Sequence, residues 1–156
     1  MYDSKQDTLA HIEQVGKLLE EVKENLALRK KRHDQSKLES PEKEMYDEFT
    51  PKLKAMTYGS DEYKACLKEM GVALQHHYQS NTHHPEHFDN GVNGMSLIDL
   101  LEMLADWKAA SLRHADGDIL KSLEINKKRF GISDQLAEIF INTVHEMGWA
   151  SSQNAG

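Results

Sequence analysis

Apolar residues follow a helical period along most of the chain, and no stretch alternates apolar and polar positions with period two. The first periodic stretch runs from about Lys5 to Arg32. Its apolar positions are Leu9, Ile12, Val15, Leu18, Leu19, Val22 and Leu26. Leucine occurs 17 times, whereas valine and isoleucine together occur 12 times. The pattern predicts an all-α fold, a single-domain bundle of about five to seven helices.

Proline, glycine and serine mark the ends of the next helices. The segment 40–42, SPE, is typical of a helix start, and Thr50-Pro51 predicts that this helix is interrupted or restarted. Residues 58–60 predict a loop. A third helix is expected over about 61–80, ending before Pro85, because proline disfavours helical geometry at the residue before it.

The second half of the chain contains three more predicted helices. Residues 89–94, DNGVNG, predict a loop, and a helix follows over about 96–114. Residues 116–118 predict a turn. A shorter helix then ends at Gly131, and a serine caps a last helix over about 133–148.

The charge balance narrows the classes of function. Nineteen Lys and Arg against 26 Asp and Glu give a formal net charge of −7, which argues against stable nucleic-acid binding. No apolar run approaches the roughly 20 residues of a membrane span, and the single cysteine cannot form an internal disulfide. We therefore expect a soluble intracellular protein with no membrane partner, one domain over residues 1–150 and a disordered tail over 151–156. Homo-oligomerisation stays open, because apolar positions of the first helix could serve a second copy.

Histidine is concentrated in one segment. Residues 76–87 read HHYQSNTHHPEH and hold five of the nine histidines. Imidazole is a common ligand of Zn, Mn, Fe, Co and Ni, so the cluster predicts a metal site. If the helix continued this far, one face would carry His77, Asn81 and His84, and another would carry His76, Ser80, His83 and His87. Alternatively, individual histidines are hydrogen-bonded packing residues.

An acidic stripe follows in an apolar helix. Residues 97–107 read LIDLLEMLADW, and Asp99, Glu102 and Asp106 fall within an arc of roughly 60°. Buried carboxylates need a cation or strong hydrogen-bond donors, so the stripe favours a site. The alternative is that the stripe faces water on a half-exposed helix.

A histidine–aspartate pair occurs at the end of the first predicted helix. Residues 32–37 read RHDQSK, and adjacent His33 and Asp34 can reach one metal where the chain turns. Lys37 could meet a phosphate oxygen. The basic run 29–32 either faces solvent or attracts a phosphorylated substrate.

These motifs resemble the HD superfamily of metal-dependent phosphohydrolases. The chain is most similar to a small family, common in phages and bacteria, that is often grouped with HD domains. The matching stretches are HDQSKLESPE, LQHHYQSNTHHPEHF and EMLADWKAA, and the resemblance covers roughly residues 8–145. It implies an HD-like helical fold in the cytoplasm of a bacterium or a phage-infected cell.

The resemblance also implies a set of metal ligands. The carried-over positions are His33, Asp34 and Asp106, with His77, His83 and His84 as further histidines of a two-metal site. One or two divalent ions are expected: Mn, Fe, Co, Ni, Zn or Mg. A further upstream histidine is usual in such enzymes, but His11 would lie about 33 Å from His33 along a straight helix.

The implied reaction is hydrolysis of a nucleotide or other small phosphate ester by a metal-activated water. Lys37 takes the lysine position of the HDxGK variant, near substrate phosphate or a bridging water, while Ser36 replaces its glycine. Asn81 and Arg32 are further substrate-binding candidates. Two more catalytic candidates, Asp99 and Glu102, could orient the water or hold a ligand histidine. The alternative is a non-catalytic metal- or nucleotide-binding module that acts through a partner protein.

Overall fold

Seven α-helices make up most of the chain in the computed structural model, which describes residues 2–57, 59–113 and 117–150. The helices are α1 (Lys5–Arg32), α2 (Glu42–Lys54), α3 (Asp61–Glu69), α4 (Gly71–Ser80), α5 (Leu97–Ser111), α6 (Ile119–Phe130) and α7 (Asp134–Glu146). The described residues contain no strand, so the prediction of an all-α fold with five to seven helices is confirmed. The predicted disordered tail, 151–156, lies outside the described residues.

The chain divides into two compact units. Residues 1–33 form the first unit, which consists mainly of α1, and residues 34–156 form the second, which contains the other six helices. The predicted domain over 1–150 spans both. Of the helices in the described part of the chain, none combines the length and the apolar character that crossing a bilayer requires.

The second unit has two apolar clusters. The larger one is built mainly by α5, α6 and α7 around Trp107, whose ring stacks on Phe130. The smaller one joins α2 to α3 and contains Phe49, Cys66 and Met70. The His-rich segment belongs to α4 and the chain that follows it, and the acidic stripe belongs to α5.

Side-chain caps define several helix starts, as the sequence predicted. Ser96 and Asp99 form a reciprocal capping box at the start of α5, and Ser133 caps α7. Gly131 ends α6 in a left-handed conformation, with φ of +61°. These three boundaries are confirmed. Residues 58 and 114–116, which include parts of the predicted loop 58–60 and turn 116–118, lie outside the described residues.

Two predicted boundaries are wrong. Thr50-Pro51 does not interrupt α2, which continues through Pro51 to Lys54. Phe49 is buried in the smaller apolar cluster and Leu53 packs against it, so tertiary packing on both sides of the proline stabilises the last turn.

The predicted single helix over 61–80 is also wrong, because it is divided into α3 and α4 at Met70. Gly71 has a φ of +35°, which a residue with a side chain rarely adopts, so the chain changes direction there.

Candidate metal centre

Asp34 opens the second unit in an unusual backbone conformation. Its φ of +56° is left-handed, which aspartate tolerates better than most residues, and a short 3₁₀ turn over Gln35–Leu38 follows. This turn brings Lys37 Nζ within 2.6 Å of Asp34 Oδ2. The other oxygen, Oδ1, lies 3.4 Å from His77 Nε2 and 3.5 Å from His83 Nε2. One carboxylate oxygen thus binds a lysine and the other faces two imidazoles.

A buried glutamate orients His77. Glu42 and His77 are both almost completely buried, at 0% and 1% exposure, and Glu42 Oε2 lies 2.8 Å from His77 Nδ1. Because an ionised carboxylate only accepts hydrogen bonds, Nδ1–H donates and the lone pair lies on Nε2. That atom lies 2.9 Å from His84 Nε2. A carboxylate behind a histidine is the usual arrangement at metal ligands.

The same arrangement occurs a second time at His83. Glu102 Oε1 lies 3.2 Å from His83 Nδ1, so the lone pair of this imidazole is again on Nε2. Nε2 is the atom that faces Asp34 Oδ1. Two elements of the fold, α2 and α5, therefore each contribute a carboxylate that fixes the tautomer of a histidine aimed at the same place.

Four side chains meet at this place: Asp34, His77, His83 and His84. One ligand atom from each lies within 4.8 Å of the others. Donors bound 2.0–2.1 Å from a single ion are separated by roughly 2.8–3.0 Å in octahedral geometry and roughly 3.3–3.4 Å in tetrahedral geometry. The observed separations of 2.9, 3.4 and 3.5 Å are close to these ranges. Three imidazoles and one carboxylate therefore fit a divalent transition metal, with Zn, Fe, Co, Ni and Mn as the natural candidates.

The electrostatics of the cluster favour neutral imidazoles, which is the form that binds a metal. Burial lowers the pKa of His84, and the neighbouring His83 and His77 lower it further, against the opposing effect of Asp106. Burial is also the main cause of a lowered pKa at His77, followed by the charge of Lys37.

The acidic stripe of α5 lies partly in the interior. Asp99 is only 5% exposed, and it accepts a hydrogen bond of 2.6 Å from Thr82 Oγ1 besides capping α5. Asp99 thus fixes the turn that directly precedes His83. One oxygen of Asp106 lies within 4.8 Å of a carboxylate oxygen of Asp34, at the edge of the cluster.

The histidines of the two predicted helix faces are brought together because the helix ends early. α4 stops at Ser80 and Asn81 is extended, so His83 and His84 both turn back towards His77. His87 instead hydrogen-bonds the Tyr78 carbonyl, as expected of a packing residue.

Asn81 has partners of its own. Its Nδ2 donates to Ser36 Oγ at 2.9 Å and to the His77 carbonyl at 2.8 Å. In this position Asn81 supports the backbone and side chain of His77. Its predicted contact with substrate stays a prediction.

Three predicted residues belong to the first unit. Arg32 is the last residue of α1, and His33 follows it as the C-terminal cap, with its backbone N–H donating to the Arg29 carbonyl. His11 lies in the first half of α1, which is a single uninterrupted helix. The chain does not reverse near Val22, the condition for His11 to approach His33. The roles of Arg32 and His33 stay predictions.

Sequence reasoning missed Glu42 and Tyr46 as residues of this region. Glu42 looked like an acid at a helix start, and it does begin α2, but its side chain points inward and contacts both His76 and His77. The ring of Tyr46 lies under Lys37 Nζ, 4.8 Å from the ring centre. Only the segment SPE hinted at Glu42, and nothing marked Tyr46.

A cleft of about 1010 Å³ opens beside the cluster. Asp34, His77, His84 and Asp106 contribute to one part of its wall. Its lining also includes five cationic side chains: Lys37, Lys54, Arg113, Lys121 and Arg129. Five aromatic residues also belong to the lining: Tyr46, Tyr63, Tyr78, Trp107 and Phe130.

The profile of a family of unknown function, DUF5662, matches residues 1–146. The chain belongs to this family. The match includes all seven helices in the described part of the DUF5662 chain and all residues of the cluster. No curated protein and no solved structure matches the chain.

Proposed function

We propose that this DUF5662 protein is a metal-dependent phosphohydrolase of the HD type that acts on a nucleotide or other small phosphate ester. The observation that carries the proposal is the group of four ligand atoms from Asp34, His77, His83 and His84, within 4.8 Å of one another, beside a large cleft whose lining includes five cationic and three acidic side chains. We place it in the cytoplasm of a bacterium or a phage-infected cell, on the resemblance to HD-like proteins.

The four side chains hold one divalent ion, and Asp106 extends the site at its edge. When bound, such an ion lowers the pKa of a coordinated water and neutralises charge on a phosphoryl group. Glu42 and Glu102 keep Nε2 of His77 and His83 unprotonated and directed at the ion. Of the two roles considered for Glu102 and Asp99, the contacts favour holding the histidine segment over orienting water.

The cleft supports the proposal of a phosphorylated substrate, because it brings cationic side chains together in a protein that is acidic overall. Its volume is at the upper end of small-molecule sites, so a nucleotide fits. Lys37 lies next to Asp34, close enough for its ammonium to turn towards a phosphate oxygen. The partly exposed rings of Tyr46 and Tyr78 offer surface for a base.

Phosphate release measures the proposed activity. Nucleoside mono-, di- and triphosphates and a chromogenic phosphate ester are incubated with the protein in Mn²⁺, Co²⁺ or Mg²⁺. We expect turnover by the wild type, loss of at least 100-fold in His83→Ala, and little change in His87→Ala, whose imidazole bonds a carbonyl outside the cluster. Stoichiometric metal without turnover on any substrate would instead favour the non-catalytic binding module. Equal turnover in all three proteins would contradict the proposal.

A further inference from the structure

α1 carries an apolar stripe whose side chains are mostly exposed. The helix has 28 residues, none of them buried, and Ile12 and Leu19 are 59% and 63% exposed. A helix of this kind gains its stability in water from packing its apolar side against something else. The first unit contains no other helix that could supply that packing among its described residues, 2–33.

The stripe has the geometry of a coiled-coil seam. Its members are Ile12, Val15, Leu19, Val22 and Leu26, spaced alternately by three and four residues. At 100° per residue these five occupy an arc of about 80°, and the exposed Leu9 and Leu18 extend the apolar face by about 60° on one side and about 40° on the other. The alternating spacing of three and four residues is typical of a helix that pairs with one similar helix, and the flanking leucines add apolar surface on both sides of the seam.

We propose that α1 pairs with α1 of a second copy of this chain, as an antiparallel two-stranded coiled coil. Charge decides the orientation. The last turn of α1 is entirely cationic over 29–32, so parallel copies would bring eight cations together at one end. Antiparallel copies place each basic end beside the partner's Asp3, Lys5 and Asp7, a segment with one net negative charge, and the helix dipoles also oppose each other.

The seam fits itself in this orientation. With Ile12 opposite the partner's Val22, Val15 lies opposite the partner's Leu19, and Leu26 lies opposite the partner's Thr8. α1 is about 42 Å long, and a strip about 10 Å wide gives a footprint near the lower limit of specific interfaces. The expected complex is therefore a reversible dimer with a dissociation constant in the micromolar range.

Sedimentation equilibrium from about 1 to 100 µM tests the dimer. We expect the wild-type mass to rise towards about 36 kDa, twice the 17.8 kDa of the chain. Leu19→Glu should stay monomeric, while Ala10→Glu, which adds the same charge to the opposite face of α1, should dimerise like the wild type. All three proteins remaining monomeric, or all three dimerising equally, would overturn the proposal. Leu19 is exposed, so the substitution removes no buried contact from the fold.

Cysteine cross-linking tests the orientation. In the proposed register the two copies of residue 8 are about 27 Å apart, whereas residue 8 faces residue 26 of the partner. Thr8→Cys alone should therefore not form a disulfide dimer on mild oxidation. An equimolar mixture of Thr8→Cys and Leu26→Cys should form one, and the native cysteine, Cys66, is buried. A disulfide dimer of Thr8→Cys alone would overturn the antiparallel arrangement.

Discussion

Replacing Glu42 by glutamine perturbs the candidate metal centre without changing any of its four proposed ligands. Glu42 accepts hydrogen bonds from His77 Nδ1 at 2.8 Å and from Ser36 Oγ at 3.1 Å, and its other oxygen lies 2.7 Å from His76 Nδ1. Glutamine has the same shape and keeps one acceptor oxygen, but it removes the negative charge behind the imidazole. The charge makes Nε2 of His77 a better donor to a metal, so the affinity should fall.

The expected size follows from the position of the carboxylate. Substitution of a group that supports a ligand histidine typically costs 10- to 100-fold in metal affinity, which is about 1.4–2.7 kcal/mol. We expect a loss in the upper half of this range. Glu42 is 0% exposed, so its charge acts on His77 without screening by water, and no water takes its place in the variant.

Competition with a chromogenic chelator measures the affinity for Zn²⁺ or Co²⁺. The control is Glu44→Gln, which removes an acid from the same first turn of α2 but from an exposed position. We expect the control to bind metal within about twofold of the wild type. The reasoning is refuted if Glu42→Gln also binds within twofold, or if both variants lose affinity equally.

Three further predictions concern the same unit and α1. His77→Ala should lose bound metal, whereas His76→Ala should retain it, as elemental analysis of the two variants will show. His76 is partly exposed and contacts Glu42 Oε1, whereas His77 contacts Oε2. Since burial lowers the pKa of His77 and His84 in the folded state, the unfolded chain binds more protons below pH 6.5. Urea denaturation of the metal-free protein at a series of pH values should therefore show that the free energy of unfolding falls as pH drops from about 7 to 4. A free energy that does not change with pH would argue against the burial of these two imidazoles. Gly94→Ala should lower that free energy by about 1–3 kcal/mol, because its methyl group would overlap neighbouring side chains, while Gly16→Ala, with open space around it, should not lower it.

The helical fold could be predicted from the sequence because the signals for it are local. The apolar period of α1, the serine caps of α5 and α7, and the left-handed Gly131 all depend on residues close together in the chain. The two wrong predictions, at Pro51 and Gly71, concern features that local residue patterns do not determine. Tertiary packing maintained a helix through the proline, and a glycine inside a periodic stretch took a positive φ.

The candidate metal cluster could be predicted only in part. Asp34, His77, His83 and His84 stood out by residue type and by resemblance, and the structure brings their ligand atoms together. Glu42 did not stand out. Its contact with His77 joins residues 35 positions apart, and the spacing of neighbouring residues cannot predict a contact over that separation.

The metal content of the purified protein tests the central claim most directly. After dialysis without chelator, inductively coupled plasma mass spectrometry should find about one equivalent or more of a divalent transition metal per wild-type chain. His83→Ala, which removes one of the four ligands, should hold less than about a tenth of an equivalent. A wild-type protein that holds no metal, and takes up none from millimolar Mn²⁺, Co²⁺, Ni²⁺ or Zn²⁺, would contradict the account.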